Sequence, residues 1–261
     1  MKRQGLFALT LSIMLILSAC GTPSSNTPSN NTPASGNSVT DDFLKTITAE
    51  TAEAKGVCGA DLTWYYQDGV LVIKGTGEMN DYPYSLGGFL PSSQITEAPW
   101  GKESEGNLYQ KIHWLIVDEG VTSIGGASFN NCSELSKVIL PSTLESIGKF
   151  AFEECFQLSE ITIPDSVSYI GEKAFNGCSS LSDITIPSSV TYMGNYIFSY
   201  CDLNSITFLG DAPENIYMAL LLDEGGTRFF DGTLNYSGSG FTEEEMLASK
   251  RADEDQLVSQ K

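Results

Sequence analysis

Basic side chains are scarce in this sequence. Lysine and arginine together number 14, against 33 aspartate and glutamate residues, which gives a formal net charge of -19 at pH 7. A surface of this sign repels nucleic-acid phosphates and anionic lipid headgroups, so nucleic acid is excluded as a partner. The surplus fits a basic partner, although charge of one sign is most often simply a solvated surface.

The apolar run near the N terminus is too short to cross a membrane as a helix. Residues 6–17 give 12 residues, whereas a span needs about 20. The run follows Lys2 and Arg3 and ends in Leu17-Ser18-Ala19-Cys20. This pattern resembles a bacterial lipoprotein signal peptide, which implies cleavage before Cys20 and diacylglycerol attachment to its sulfur. An ordinary secretory signal, with Cys20 incidental, is the alternative.

Composition divides the rest of the chain. Residues 20–40 carry no charge and are rich in Thr, Pro, Ser and Asn, so we expect a disordered linker behind the lipidated Cys20. Residues 41–56 are predicted to form a short helix opened by Asp41 or Asp42. The predicted domains are the signal peptide (1–19), the linker (20–40), the helix (41–56), an N-terminal β cap (57–111), a repeat solenoid (112–212), and a C-terminal cap and tail (213–261).

An internal repeat of 23 residues organises the middle of the chain. Cysteine, phenylalanine and glycine recur in step: Cys132, Cys155, Cys178 and Cys201; Phe129, Phe152, Phe175 and Phe198; Gly125, Gly148, Gly171 and Gly194. The fourth copy drops one residue after Cys201, and a half copy precedes the first. This period is typical of leucine-rich repeats, whose coils bury their apolar sides only when stacked. Each glycine is expected to supply a backbone angle that other residues avoid.

Each copy also contains a short strand. Residues 138–140, 161–163 and 184–186 alternate inward and outward with period two, and stacking places such strands about 4.8 Å apart in a parallel ladder. Upstream, Asp68-Gly69 between two apolar runs predicts a β-hairpin. The predicted fold is mainly β with short helical turns. It is a leucine-rich-repeat solenoid with a short parallel β-ladder, an N-terminal β-hairpin cap and a small C-terminal cap or helical tail.

The repeat motif is V-x-x-I-G-x-x-[SA]-F-x-x-C-x-x-L-x-x-[VI]-x-[LI]-P, and it resembles that of the BspA-like leucine-rich-repeat surface proteins of bacteria. The resemblance covers residues 112–213 and extends more loosely to Cys58-Gly59, Asp68-Gly69 and Ala98-Pro99-Trp100. It implies a cell-surface location and adhesion to host matrix proteins. The asparagine ladder of eukaryotic-type repeats is absent, and Thr143 and Ser166 lie near its place.

Reactive side chains offer little chemistry. The four repeat cysteines point into the core, so we expect buried free thiols, although adjacent coils lie within disulfide range; Cys58 is unassigned. Their spacing does not fit a zinc site. His113, the single histidine, aligns with Ser136 one repeat later, but no acid is placed to complete a triad. We expect no catalytic residue, no metal and no cofactor.

Two outward faces are the candidate ligand-binding sites. The strand face consists of Trp114, Ile116, Lys137, Ile139, Glu160, Thr162, Asp183 and Thr185. Its apolar end beside Lys137 suits a binding anchor, unless the N-terminal cap or Tyr109 covers it. The tyrosine face consists of Tyr169, Tyr192, Tyr196 and Tyr200. It suits sugar or protein, and the alternative is an ordinary β surface rich in tyrosine.

The sequence therefore predicts a lipid-anchored, adhesin-like binding protein on the outer face of a bacterial membrane. Its expected partners are the membrane, through Cys20, and an extracellular host or microbial protein or glycan. Two alternatives stay open, because a fold alone does not fix a function. One is a carbohydrate-active enzyme accessory or hydrolase with its chemistry in residues 213–261 or in the cap. The other is the solute-binding lipoprotein of an importer.

Overall fold

The structure is a computed structural model that describes residues 47–82, 98–101, 107–211 and 232–237. Within these ranges the chain forms short strands and turns, with one 3-10 turn at Pro99–Gly101. No helix in the described residues is long and apolar enough to span a bilayer. The predicted signal peptide, Cys20 and the linker lie outside the described residues.

An antiparallel meander opens the fold. Strands β1 (Ala54–Val57), β2 (Leu62–Gln67) and β3 (Val70–Gly75) pair in sequence order. Asp68 and Gly69 join β2 to β3 with φ values of 48° and 84°. Two consecutive left-handed residues are what a tight two-residue hairpin needs, so the predicted hairpin is confirmed.

The helix predicted over residues 41–56 is wrong in its described part. Residues 47–53 form irregular turns, and residues 54–57 form β1, which pairs with β2. Exposed and half-buried side chains alternate along β1, as expected for an edge strand. Pairing with β2 outweighs the local helix propensity of this segment. Residues 41–46 lie outside the described residues.

From β3 onwards the strands run parallel and form the coils of a solenoid. The first sheet continues from β3 through β5 (Trp114–Val117), β7 (Lys137–Ile139) and β9 (Glu160–Ile161). The second sheet runs through β4 (Gly77–Glu78), β6 (Val121–Ile124), β8 (Ser146–Ile147), β10 (Tyr169–Ile170) and β12 (Tyr192–Met193). The third sheet contains β11 (Asp183–Ile186), β13 (Ser205–Phe208) and β14 (Thr233–Tyr236).

The strand register confirms the 23-residue step. Lys137 lies opposite Trp114 on one side and Glu160 on the other. After Cys201 the step shortens by one residue, and Asp183 lies opposite Ser205, as the dropped residue in the fourth copy predicts.

A column of stacked aromatic rings fills the core. Ring centroids of Phe129, Phe152, Phe175 and Phe198 follow one another at 5.5, 5.5 and 5.6 Å. Trp100 begins the column, with its ring 4.9 Å from Phe129 and its Nε1 donating to the Ser128 carbonyl at 2.8 Å. Such stacking adds to the free energy gained from burying each ring.

The glycine column serves a different purpose from the expected one. Gly125, Gly148, Gly171 and Gly194 do not have left-handed backbone angles. Instead, a Cβ added to Gly171 would lie 2.5 Å from the backbone nitrogen of Lys149, so glycine is needed for the close approach of adjacent coils. The left-handed angles, from 52° to 76°, fall on Ala127, Phe150, Lys173 and Tyr196, and on Asn131, Glu154, Gly177 and Tyr200.

Threonine and serine occupy the positions near which eukaryotic-type repeats have an asparagine ladder. Thr143, Ser166 and Ser189 each donate a side-chain hydrogen bond to a backbone carbonyl of the preceding coil, at 2.9, 2.5 and 2.7 Å. These bonds pair carbonyl groups at the turn between the first and second sheets. The hydroxyl groups therefore satisfy backbone carbonyls between coils, as an asparagine ladder satisfies backbone groups, but with shorter side chains.

Strand β14 extends the ladder beyond the predicted solenoid boundary at residue 212. It pairs with β13, and its Tyr236 ring stacks on Phe208 at 5.4 Å. The sequence signal for this strand is the alternation in Thr233-Leu234-Asn235-Tyr236, in which Leu234 and Tyr236 pack against the core. The rest of the predicted C-terminal cap or helical tail lies outside the described residues.

Candidate ligand-binding faces of the solenoid

The N-terminal end of the strand face is covered. Ile116 is only 2% exposed and lies in a second apolar cluster with Ile47, Val70 and Val72. Trp114 and Ile139 are partly buried beside this cluster. Because Ile116 is buried, its side chain is not available to a ligand, and the open part of the strand face begins at Lys137.

Tyr109 is not part of this cover. It packs instead against the main core, and a Cβ added to Gly101 would lie 2.1 Å from its Cε2 atom. Residue Ile47, which precedes β1, is fully buried in the second cluster, and its carbonyl accepts a bond from Lys74 Nζ at 3.2 Å. The chain before β1 is thus part of the cover.

The strands of the first sheet separate beyond β7. Strands β5 and β7 pair over three residues, whereas β7 and β9 pair only at Lys137 with Glu160 and at Val138 with Ile161. Within residues 107–211, β9 has no strand partner on its other side, and the ladder resumes at β11. A cleft of about 560 Å³ lies beside β7 and β9, where their pairing stops, and Lys137, Ile139, Glu160 and Thr162 are among its lining residues.

Like charge disfavours strand pairing between β9 and β11. Glu160 and Asp183 are one 23-residue step apart, and like charges at facing positions of adjacent strands destabilise pairing. Glu160 forms an ion pair with Lys137 on the opposite side. Asp183 accepts hydrogen bonds from Ser205 at 2.6 Å and Ser182 at 2.8 Å, and these bonds hold the pKa of its carboxyl below the usual value. Thr162 and Thr185 are both exposed.

The tyrosine face lies on the second and opposite sheet. Tyr169 and Tyr192 lie opposite each other on β10 and β12, with ring centroids 5.0 Å apart and planes 2° from parallel. Tyr196 and Tyr200 follow β12 in the turns, both with left-handed backbone, and Tyr200 is 62% exposed. The predicted face thus contains one stacked pair, with the other two tyrosines further along the chain.

A second cleft, which the sequence did not indicate, lies beside Tyr169. Its volume is about 470 Å³, and its lining combines the aromatic residues Tyr82, Phe150 and Tyr169 with charged Glu78, Asp81 and Lys149. The segment at residues 78–82 lies outside the 23-residue repeat, so no column of the repeat marks it. Only tertiary contacts bring it to the second sheet.

Ser136 and His113 are engaged in backbone contacts. The Ser136 hydroxyl donates to the main-chain carbonyl of His113 at 3.1 Å, and Ser159 makes the equivalent bond to Ser136 at 3.4 Å. The serine column thus bonds successive coils, as the repeat implies. No group of three or more potential metal ligands lies among the described residues.

The five described cysteines are free and buried, which confirms the expectation for the repeat thiols and adds Cys58. Cys155, Cys178 and Cys201 each donate to a phenylalanine carbonyl of the preceding coil, at 3.2, 3.2 and 3.1 Å. Burial raises the pKa of Cys58 from 9.0 to about 12, and it raises the pKa values of Cys132, Cys155 and Cys178 well above the usual range. These thiols are structural rather than nucleophilic.

Parallel coils with a 23-residue step, parallel strand ladders and a buried phenylalanine column define a leucine-rich-repeat solenoid. Residues 107–218 match the family model of the BspA type leucine rich repeat region, in six copies. This match confirms, for this part of the chain, the resemblance seen in the sequence motif. No curated protein matches the chain.

Several solved structures are similar. A leucine-rich repeat protein from Eubacterium ventriosum is 32% identical over 60% of this chain and 38% of its own, with a TM-score of 0.49. The T. pallidum leucine rich repeat protein is 23% identical over 63% and 73%, with a TM-score of 0.41. A leucine rich cell surface protein from Faecalibacterium prausnitzii is 24% identical over 63% and 50%, with a TM-score of 0.37. The chain spans well under half of the E. ventriosum protein.

Proposed function

We propose that this chain is an adhesin-like binding protein that is anchored to the outer face of a bacterial membrane through Cys20 and binds an extracellular protein on its strand face. The observation that carries the proposal is the cleft along β7 and β9, where the pairing of the two strands stops after Val138 and Ile161. The BspA-type repeats support a protein-binding role at the cell surface.

The cleft offers apolar contact. Ile139 and Leu140 at the end of β7 and Ile161 in β9 line it, and all three side chains are partly exposed. Leu140 and Ile161 occupy inward positions of the repeat, yet both stay partly exposed where β7 and β9 stop pairing, within reach of a ligand. Partly exposed apolar side chains within a polar rim are typical of the central contacts of protein interfaces.

The rim of the cleft is acidic. Asp165 and Glu160 line it, Asp183 lies one coil further along the outward strand face, and Lys137 is already paired with Glu160. This local charge has the same sign as the whole chain, whose formal net charge is -19. We therefore expect a ligand with a basic patch, whose association is faster and stronger at low salt.

The linker predicted from composition supports access to such a ligand. A coil of about 20 residues between Cys20 and the described fold is expected to have a root-mean-square span of about 25 Å. Two acyl chains anchor a protein stably, whereas one holds it only marginally, so the lipid on Cys20 is sufficient when it is multiply acylated. A solenoid displayed at this distance presents its strand face to neighbouring surfaces.

The test is binding of the full mature chain to immobilised matrix proteins and mucins at two salt concentrations. Glu160→Arg is expected to weaken binding at least tenfold, because it reverses a rim charge and breaks the ion pair with Lys137. Glu145→Arg, an equal charge reversal at an exposed position outside the cleft, is the matched control and should bind as the unmodified chain does. Equal binding by the two variants, or no binding by the folded chain, would rule the proposal out.

A further inference from the structure

One column of the second sheet contains a stack of rings that stops abruptly. Ser123, Ser146, Tyr169 and Tyr192 occupy equivalent positions on β6, β8, β10 and β12. The Tyr169 and Tyr192 rings stack at 5.0 Å, which is close to the spacing of the coils. At Ser146 the column holds only a hydroxymethyl group. The ring face of Tyr169 that looks towards Ser146 is therefore not covered by a ring from the column.

The second cleft lies at this end of the stack. Ser123, Ser146 and Tyr169 all line it, together with the rings of Tyr82 and Phe150. Its volume of about 470 Å³ lies within the range of pockets that hold small organic ligands. The uncovered ring face and the cleft are one feature.

The walls of the cleft are fixed by hydrogen bonds and backbone geometry. Gly126 N donates to Asp81 Oδ1 at 2.6 Å, Tyr82 N donates to the Gly126 carbonyl at 2.8 Å, and Met79 N donates to Ser123 Oγ at 3.0 Å. Phe150 has a left-handed backbone, φ 58°, and the Lys173 ammonium lies 5.9 Å from its ring centroid. A cleft built before the ligand arrives loses little entropy on binding.

Polar groups are available beside the ring. The side chains of Glu78 and Ser146 make no hydrogen bond in the structure of the described residues, and the second carboxylate oxygen of Asp81 is likewise unused. A pyranose ring has an apolar C–H face that packs on the electron-rich face of an aromatic ring. Its hydroxyl groups are donors, and a carboxylate is a strong acceptor for them.

Charge narrows the class of ligand. Glu78 and Asp81 carry negative charge, whereas Lys149 forms an ion pair with Glu172 at 3.7 Å. The balance disfavours sialylated or uronic acid sugars and phosphorylated ligands. Neutral hydroxyl-rich ligands incur no such repulsion.

We propose that this cleft binds a neutral saccharide, with one pyranose ring over Ser146 stacked on Tyr169 in the place of the ring that the column lacks. The site lies on the opposite sheet from the strand face and goes beyond the protein-binding function proposed above. The bound sugar is held by Tyr169 below, by Tyr82 and Phe150 at the sides, and by hydrogen bonds to Glu78 and Asp81.

The experiment is saturation-transfer NMR of the full mature chain with maltose, cellobiose, lactose and chitobiose, and with sialyllactose as the anionic comparator. At least one neutral disaccharide is expected to give a saturable signal, and sialyllactose a much weaker one. Tyr169→Ala should raise the dissociation constant at least tenfold, whereas Tyr169→Phe, which keeps the ring, should change it less than threefold.

Ser146→Tyr is the sharpest variant. The new ring completes the stack on Tyr169, so the protein should fold with an unchanged or higher melting temperature and lose saccharide binding. Glu160→Arg on the strand face should leave saccharide binding unchanged, which separates this site from the proposed protein site. The proposal fails if no neutral disaccharide binds the folded chain, if sialyllactose binds as well as the neutral sugars, or if Tyr169→Ala binds as the unmodified chain does.

Discussion

Individual cysteines in the repeat act as small apolar side chains with one weak donor. Cys155 shows the arrangement: its side chain is fully buried, and its thiol donates to the Phe129 carbonyl of the preceding coil at 3.2 Å. A larger residue would overpack this filled interior, and an alanine would remove one of the two hydrogen bonds that the Phe129 carbonyl accepts, the other coming from Cys132 N at 3.2 Å. The same reasoning applies to Cys178 and Cys201.

Stability should fall at alkaline pH because these thiols ionise only after unfolding. Burial raises the pKa of Cys58 from 9.0 to about 12, and it also raises the pKa values of Cys132, Cys155 and Cys178. The folded state thus favours the protonated thiol. Its stabilising contribution is fully present below pH 9 and is lost progressively as the pH rises towards 12. Urea unfolding measured from pH 7 to pH 11 should show this decline.

A thiol reagent provides the companion measurement. The folded chain at pH 8 should react slowly at Cys58, Cys132, Cys155, Cys178 and Cys201, and the same chain in urea should react rapidly at all of them. Rapid labelling of the native protein, or a free energy of unfolding that stays constant up to pH 11, would show that the thiols are not held protonated by burial.

At the scale of the element, the close approach of neighbouring backbones limits which residues fit at the glycine positions of each coil. Gly148, Gly171 and Gly194 lie where a Cβ would meet backbone atoms of the preceding coil at 2.5, 2.5 and 2.2 Å. The contacting atoms are main chain, so they cannot swing aside as a flexible side chain would. The glycines permit the hydrogen bonds Gly171 N to Ile147 O and Gly194 N to Ile170 O, both 2.8 Å.

Gly171→Ala should therefore destabilise the solenoid by about 1–3 kcal/mol, the usual cost of overpacking a filled interior. Denaturant unfolding followed by circular dichroism measures the change. Glu172→Ala is the matched control at the next position, where the loss of a solvent-exposed ion pair with Lys149 costs about 0–1 kcal/mol. A Gly171 variant as stable as the Glu172 variant would mean that the coils can separate without cost.

For the whole molecule, the strand face and the second cleft lie on two different sheets of one solenoid. The second apolar cluster covers one end of the strand face, and the strand ladder beneath this face is interrupted between β9 and β11. The second cleft depends on the chain at residues 78–82, which crosses onto the first coil. A protein ligand and a saccharide therefore have separate places on the same molecule.

Cys20→Ser tests the anchor, because serine cannot accept the thioether-linked lipid. In a bacterial host that acylates lipoproteins, the unmodified chain should partition with the membrane fraction and incorporate labelled fatty acid. The variant should lose the label and appear in the soluble envelope fraction or the medium. Cys58→Ser, which leaves the lipobox intact, should stay with the membrane. Membrane retention of an unlabelled Cys20 variant would contradict the lipid anchor.

Repetition made much of the fold predictable. The 23-residue columns gave the strand positions, the inward and outward side chains, the register of Lys137 with Glu160 and the one-residue slip after Cys201, because any residue that faces its copy in every coil must obey the period. The hairpin at Asp68-Gly69 was predictable because its backbone angles are set locally. The tyrosine pair at 169 and 192 followed from the same columns.

Features without a repeating partner were not predictable. Residues 54–57 form β1 in place of part of the helix expected over residues 41–56, and the sequence pattern does not predict β14. Both strands depend on pairing with strands distant in sequence. The sequence predicts that the glycine column provides an unusual backbone angle, whereas glycine is needed there because the backbones of adjacent coils approach closely. The repeat pattern predicts Ile116 as a contact residue, but residues remote in sequence bury it.

The sequence by itself determined that residues 107–218 contain a stack of coils similar to the BspA type and that the chain is acidic, because period, polarity and charge can be read directly from its residues. Only the tertiary structure decided which parts of that surface are open. The cover over Ile116, the interruption of the ladder between Glu160 and Asp183, and the cleft beside Tyr169 each arise where segments far apart in sequence meet or fail to meet. Such contacts depend on distances between coils and caps, and no local pattern of residues encodes them.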